Sequence, residues 1–425
     1  MAFERIGIRP SEILLPGKGV APETWACVAC DQYTSEPEYW ERADAFVGSA
    51  PSALRLVLPE CWLKESGMRI PMIHQAMDRY LKEGLLIPAV REGFVLCERR
   101  TETGVRLGLI CAVDLEEYSF HREDEPLIRP TEQTITSRLP PRLAIRRGAP
   151  LELTHIMVLI DDPERTVLEP LQNRKAKLRK LYDFDLMGGG GHLSGWAVDT
   201  KEDLEAADRA MNALLDRKTK EAAPQRPMFL AVGDGNHSLA TAKAYWEEIR
   251  ENLTPEERKN HPARFALCEI VNLYDDALVF EPIHRLLTGT DRVTLMAAWR
   301  NYAESRGMSL TSRYIENGHR FTVISLTGED KFSVENPEGA IPCETAQNFL
   351  DDFLAGHPEA DIDFIHGEDS LRKLCRQPES IGVIMPEISK QSFFRDVTRL
   401  GVLPRKTFSM GEAHEKRFYM EARRI

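Results

Sequence analysis

The sequence predicts a mixed α/β protein on three observations. Apolar runs of strand length recur, among them 155–160, 228–232 and 264–273, separated by stretches whose apolar residues return at helical spacing. At 228–249 an apolar run, a two-glycine turn and a helical pattern follow one another directly. Beyond about residue 290 the helix and strand patterns keep alternating. A chain of 425 residues can hold two or three domains. The expected regions are an N-terminal α/β region at 1–125, a core at 126–289 and a C-terminal α/β region at 290–425.

Composition narrows the function. With 42% hydrophobic and 29% charged residues, the chain reads as an ordinary globular protein. A formal net charge of −12 argues against broad binding to nucleic acid or an anionic membrane, because both need a basic surface. It leaves room for a small anionic ligand held by local arginines. No apolar run is long enough for a membrane span and the start, Met1-Ala-Phe-Glu-Arg5, is unlike a signal peptide, so a cytoplasmic location is expected. The eight cysteines lie mostly in apolar runs, as small buried hydrophobes do in a reducing compartment. Cys27-Val-Ala-Cys30 is a CxxC pair without the second pair that a structural zinc site needs.

In chain order, 27–33 reads as a strand entering a loop, a short helix begins at Glu38, and 52–64 and 71–82 read as helices. Runs 93–100 and 105–115, joined by Thr101-Glu-Thr-Gly104, read as a hairpin. A strand at 155–160 is followed by an amphipathic helix at 164–181. Gly188 to Gly191 are consecutive glycines, a freedom that no packing motive requires, with His192 and Ser194 beside them; the run reads as a mobile lid over a ligand, the alternative being a plain connector. Thr200 and Asp203 open a helix reaching about Lys218. After the central strand, turn and helix come strands at 264–273 and 277–285 and a helix at 291–307. A hairpin follows at 320–326 and 331–335. The remaining helices are expected at 344–355, from 371 and at 391–400, and the remaining strands at 362–366, 381–385 and 416–424.

The central turn carries Asp234, Gly235, Asn236, His237 and Ser238. A strand, glycine turn and helix point free N–H groups and a positive dipole end at an anion. Asp234 can hold a metal ion or accept a proton, and His237 can donate to a phosphate oxygen; the bland alternative is a helix cap. A second informative stretch, 128–147, holds Arg129, Arg138, Arg142, Arg146 and Arg147, a residue type suited to gripping phosphate or carboxylate. Pro140 and Pro141 would interrupt a continuous helix through it, and a solvated basic face is the alternative. Asp234 and His237 are expected to line a pocket that Glu132 and at least two of Arg129, Arg138 and Arg142 reach. His284-Arg285 at a strand end and Arg405-Lys406 near the C-terminus also suit an anion.

On these residues the chain resembles the domain-of-unknown-function family 1015 over nearly its whole length. The family's DGHHR-type turn is similar to Asp234-Gly235-Asn236-His237-Ser238, and its arginine-rich segment to Arg129-Pro-Thr-Glu132-Gln-Thr134 through Arg142. Glu281-Pro-Ile-His284-Arg285 and Leu403-Pro-Arg-Lys-Thr-Phe-Ser-Met410 match as well. More distantly the turn is similar to that of the ParB/sulfiredoxin-like fold, where DGxHR opens a helix and holds nucleotide phosphates; free-serine kinases are one branch. The resemblance implies a ParB/sulfiredoxin-like core with large insertions and a C-terminal α/β region. Asp234, Gly235 and His237 match that turn, whereas Ser238 stands where the motif has arginine. The turn lacks a sulfiredoxin cysteine, and no helix-turn-helix region of the ParB type is evident.

The reading this supports is a nucleotide- or phosphate-binding phosphotransferase acting on a small hydroxylated metabolite, using Mg²⁺ with ATP or ADP. Asp234, His237 and Glu132 would be catalytic, with Asp234 as the metal ligand. Gly235, Asn236, Ser238, Arg129, Arg138, Arg142, His284, Arg285, Arg405 and Lys406 would hold the anion. The alternatives are a non-catalytic nucleotide-sensing module and a metal-dependent phosphoester hydrolase built on Asp234, His237 and His284.

Overall fold

The computed structural model describes residues 1–121, 123–404 and 406–425. The expected anion ligand Arg405 lies outside the described residues. The chain is mixed α/β and divides into two compact units, Met1–Val279 with Glu412–Ile425, and Phe280–Gly411. The regions expected at 1–125 and 126–289 therefore share one unit up to Val279, and the last segment rejoins it.

In the first unit, the described strands form a twelve-stranded sheet. Its spine runs Ile128–Pro130, Leu230–Asp234, Ile156–Ile160, Phe265–Asn272, Gly104–Asp114 and Leu86–Thr101. Leu230–Asp234 is parallel to Ile128–Pro130 and antiparallel to Ile156–Ile160, with an irregularity between Val232 and Asp234. The long strands read as continuous apolar runs because both faces are covered. Phe94 and Leu96 enter one core cluster, while Val95 and Cys97 enter another. Fully burying a side chain of this size contributes about 1.5–3 kcal/mol. The second unit is built on a seven-stranded sheet ordered Ser309–Thr311, Gly328–Glu335, His319–Ser325, Ser380–Ile384, Phe280–Thr288 and Asp361–His366, with Phe408–Met410 beside Phe280–Thr288.

Several expectations are corrected. Segment 164–181 is not one helix: it contains Glu169–Asn173 and a tight turn at Lys175–Lys177, and the strand Arg179–Asp185 then begins. Asp162 accepts from the N–H groups of Thr166 (2.6 Å) and Val167 (2.9 Å), forming a turn, and pairing of Arg179–Asp185 with His192–Val198 overrides the local helical spacing. The glycine run has a packing motive after all. It closes that hairpin through Leu186 N–H to Gly191 O at 2.8 Å. Gly188, Gly189 and Gly191 have φ of 63°, 75° and 81°. A Cβ on Gly191 would stand 2.0 Å from the Arg100 carbonyl oxygen, and one on Gly190 2.6 Å from Phe418. His192 is bonded to Asp185 at 2.7 Å and Asp183 at 3.0 Å on the hairpin itself. Segment 52–64 forms short 3₁₀ turns, and the last strand is confined to Ala422–Arg424. Pro140 and Pro141 do not break a helix, because they occupy the first turn of Leu139–Arg146, where a missing N–H costs nothing.

Candidate functional site

The strand Leu230–Asp234 ends in Gly235, whose φ of 79° turns the chain into the helix Asn236–Arg250. Glycine is required twice at this position. The backbone is left-handed, and a Cβ would meet His155 Cδ2 at 3.0 Å and Ile156 Cα at 3.2 Å. The helix has no side-chain cap at its N-terminus, so its first N–H groups are not met by a capping oxygen. Asp234 Oδ1 accepts from Gly235 N–H at 2.9 Å, and its Oδ2 lies 3.6 Å from Lys416 Nζ.

The arginine-rich segment is held against this turn by its backbone. Thr131 N–H donates to Asn236 Oδ1 at 3.3 Å, and the Thr131 hydroxyl donates to Val232 O at 2.6 Å. Ile135 N–H donates to His237 Nε2 at 3.3 Å, which leaves the His237 proton on Nδ1. Burial, then the charges of Arg142 and Arg138, push the His237 pKa down to about 4, so the ring is neutral at neutral pH. Arg142 is ion-paired with Glu60 and donates to Arg138 O at 2.8 Å. Half-buried Glu132 follows Thr131 directly and has interactions of its own.

Other expected residues have partners of their own. Arg129 is buried and directs its guanidinium to Pro126 O at 2.9 Å and Arg226 O at 3.0 Å, because a buried guanidinium must find acceptors. His284, Arg285 and Lys406 belong to the second unit. There His284 Nδ1 accepts from Met385 N–H at 3.1 Å. Arg285 is fully buried and donates to Gln347 at 3.1 Å and to Lys406 O at 2.9 Å. Among the described residues, no group of three or more His, Cys, Asp or Glu is arranged to hold a metal ion.

Residues that sequence reasoning missed stand beside the turn. His155 places Nε2 3.5 Å from Asp31 Oδ2 and Nδ1 2.5 Å from the Tyr419 hydroxyl, which also accepts from Cys30 N–H at 3.0 Å. Burial would lower the His155 pKa, but the Asp31 carboxylate raises it well above the ordinary value. Burial would likewise raise that of Asp31, and His155 holds it well below the usual carboxylate range. Lys416, also missed, is the cation facing Asp234. The only local signal was polar residues at the ends of apolar runs. Nothing in the sequence joins positions 31, 155, 234 and 419.

The family described as "Protein of unknown function (DUF1015)" matches residues 14–353. The chain belongs to this family. Comparison of this DUF1015 chain with curated proteins gives no match. Among solved structures it is similar to a free serine kinase in complex with AMP, with 12% identity, a TM-score of 0.38, and coverage of 73% of this chain and 90% of that one. It is also similar to SbnI with a C-terminal truncation from Staphylococcus aureus, at 7% identity and TM-score 0.36, covering 71% and 82% of the two chains. A conserved hypothetical protein from Pyrococcus furiosus shows 11% identity and a TM-score of 0.34, with 73% and 90% covered. Likenesses at this level carry no argument about what the DUF1015 chain binds.

Proposed function

We propose that the turn 234–238 binds a nucleotide or other phosphate and that the protein transfers a phosphoryl group to a small hydroxylated molecule. The observation that carries the reading is an uncapped helix N-terminus, entered through a left-handed glycine, with the neutral His237 in its first turn and the charges of Arg138 and Arg142 acting on it. The N–H groups of residues 236–238 and the His237 Nδ1–H would hold phosphate oxygens, and Arg138 and Arg142 would neutralise their charge. Asp234 would take the acceptor's hydroxyl proton or hold a cation, and Glu132, next to Thr131 on the segment bonded to the turn, would be the other carboxylate. Magnesium carried on nucleotide phosphates asks a protein for only one or two carboxylates, which Asp234 can supply, and would add charge neutralisation.

The test is thermal stability against ATP and ADP, with and without Mg²⁺, followed by turnover with serine and other small hydroxylated metabolites. Ligand binding raises apparent stability by mass action. Absence of any shift with either nucleotide overturns the reading. A shift without turnover on any acceptor selects the sensing module, for which Ser238 in place of the motif's arginine is the supporting residue.

A further inference from the structure

The second unit carries a groove of its own, about 300 Å³ in volume, on one face of its sheet. Side chains alternate across a strand, so His319–Ser325 turns Phe321 and Val323 into the core and Arg320 and Thr322 to the opposite face. The register puts Ser333 beside Arg320, and Lys331 and Ile384 on either side of Thr322. These five residues floor the groove. Arg313 and Tyr314 border it where the chain leaves Ser309–Thr311, next to Gly328–Glu335, and Met385 and Pro386 border it where the chain leaves Ser380–Ile384. Cations therefore occupy the middle strand and one side, and apolar side chains the other.

Every charged residue lining the groove is a cation, Arg313, Arg320 or Lys331, in a chain whose formal net charge is −12. Lys331 is paired with Glu329 at 2.9 Å. Among the described residues neither Arg313 nor Arg320 has a carboxylate at ion-pair distance. The Arg320 guanidinium lies 5.0 Å from the centre of the Tyr314 ring, a contact through its face that leaves its N–H edge free to donate. Tyr314 itself is 66% exposed, held at the rim and not in the core. Ser333 adds a second, independent sign. It is only 2% exposed and lines the groove, yet its hydroxyl has no hydrogen-bond partner among the described residues. Buried hydroxyls are ordinarily bonded, because an unbonded one costs free energy.

We propose that this groove binds a phosphomonoester with an apolar body, its phosphate held by Arg313, Arg320 and Lys331, one oxygen accepting from Ser333, and its body against Ile384 and Pro386. A phosphomonoester carries a charge of about −1.5 to −2 at pH 7 and three acceptor oxygens, enough for both guanidinium groups and the hydroxyl, whereas a carboxylate brings a single charge. The turn 234–238 contributes no residue to the groove. The test titrates the full chain, labelled with nitrogen-15, with phenyl phosphate, benzoate, phenol and inorganic phosphate at one ionic strength, following the amides of Tyr314, Thr322 and Ser333. Phenyl phosphate should shift these amides and bind about tenfold or more tightly than each of the other three. Arg313→Gln and Arg320→Gln, both at exposed positions, should each weaken that binding about fivefold or more and leave the circular dichroism unchanged. Shifts confined to residues 234–238 overturn the groove as a site. Benzoate or phenol binding as tightly as phenyl phosphate overturns recognition of the phosphate, and inorganic phosphate doing so overturns the apolar body. Binding unchanged in either arginine variant overturns the assignment of residues.

Discussion

At the residue scale the turn makes three predictions. Gly235→Ala must place a Cβ against His155 at a φ of 79°, and should lower stability by about 1–3 kcal/mol in denaturant titration. Asp234→Asn keeps the side-chain shape, so it should leave stability close to that of the parent while cutting turnover by about 10²-fold or more, read from single-turnover rates. The two histidines should titrate in opposite directions. His237, with a folded pKa of about 4, is protonated less readily than in the unfolded chain. The unfolded state therefore binds more protons between pH about 6.5 and about 4, and stability falls as pH drops through that window. His155 is raised, so its contribution is present below about 6.5 and is lost as pH rises through its folded pKa. Nitrogen chemical shifts should show His155 charged and His237 neutral with Nδ1 protonated at pH 7. Of this site, Asp234, Gly235 and His237 were legible in sequence because they are contiguous. Asp31, His155, Lys416 and Tyr419 were not, because only the tertiary fold brings such distant positions together.

At the element scale, what could be read from sequence was the pattern whose cause is local. The hairpin Leu86–Thr101 with Gly104–Asp114 followed from apolar runs and a short polar turn, and the helix Lys201–Ala222 followed from Thr200, whose side chain accepts from Asp203 N–H. The strand Arg179–Asp185 was hidden because its partner His192–Val198 decides it, not its own spacing. The glycine run was misjudged for a related reason, since its neighbour Arg100 lies far away in sequence. Gly191→Ala puts a Cβ 2.0 Å from the Arg100 carbonyl and should weaken the hairpin. Its amides should exchange at least tenfold faster than in the parent, whereas unchanged exchange would return the run to a loose connector. Hydrogen exchange of 188–191 should also be indifferent to nucleotide, since His192 is bonded within the hairpin rather than at the turn.

At the scale of the whole molecule, the segment Glu412–Ile425 is a fastening. Arg417 lies between Glu269, at 3.0 Å, and Glu421, all three buried, and Arg423 donates to Glu152 at 2.8 Å. Removing one partner of such a buried set leaves charge without its counterion, so Arg417→Met should cost about 3–5 kcal/mol, measured by urea unfolding. This return was not legible in sequence, because a charged segment near the end of the chain reads as surface until its partners are known. The return has a consequence for biosynthesis. Lys416 and Tyr419 leave the ribosome only after all of Phe280–Gly411 has been made, on the order of ten seconds later at about 5–20 residues per second. Throughout that interval the nascent first unit holds Glu269 and Glu152 without Arg417 and Arg423, and Asp234 and His155 without Lys416 and Tyr419.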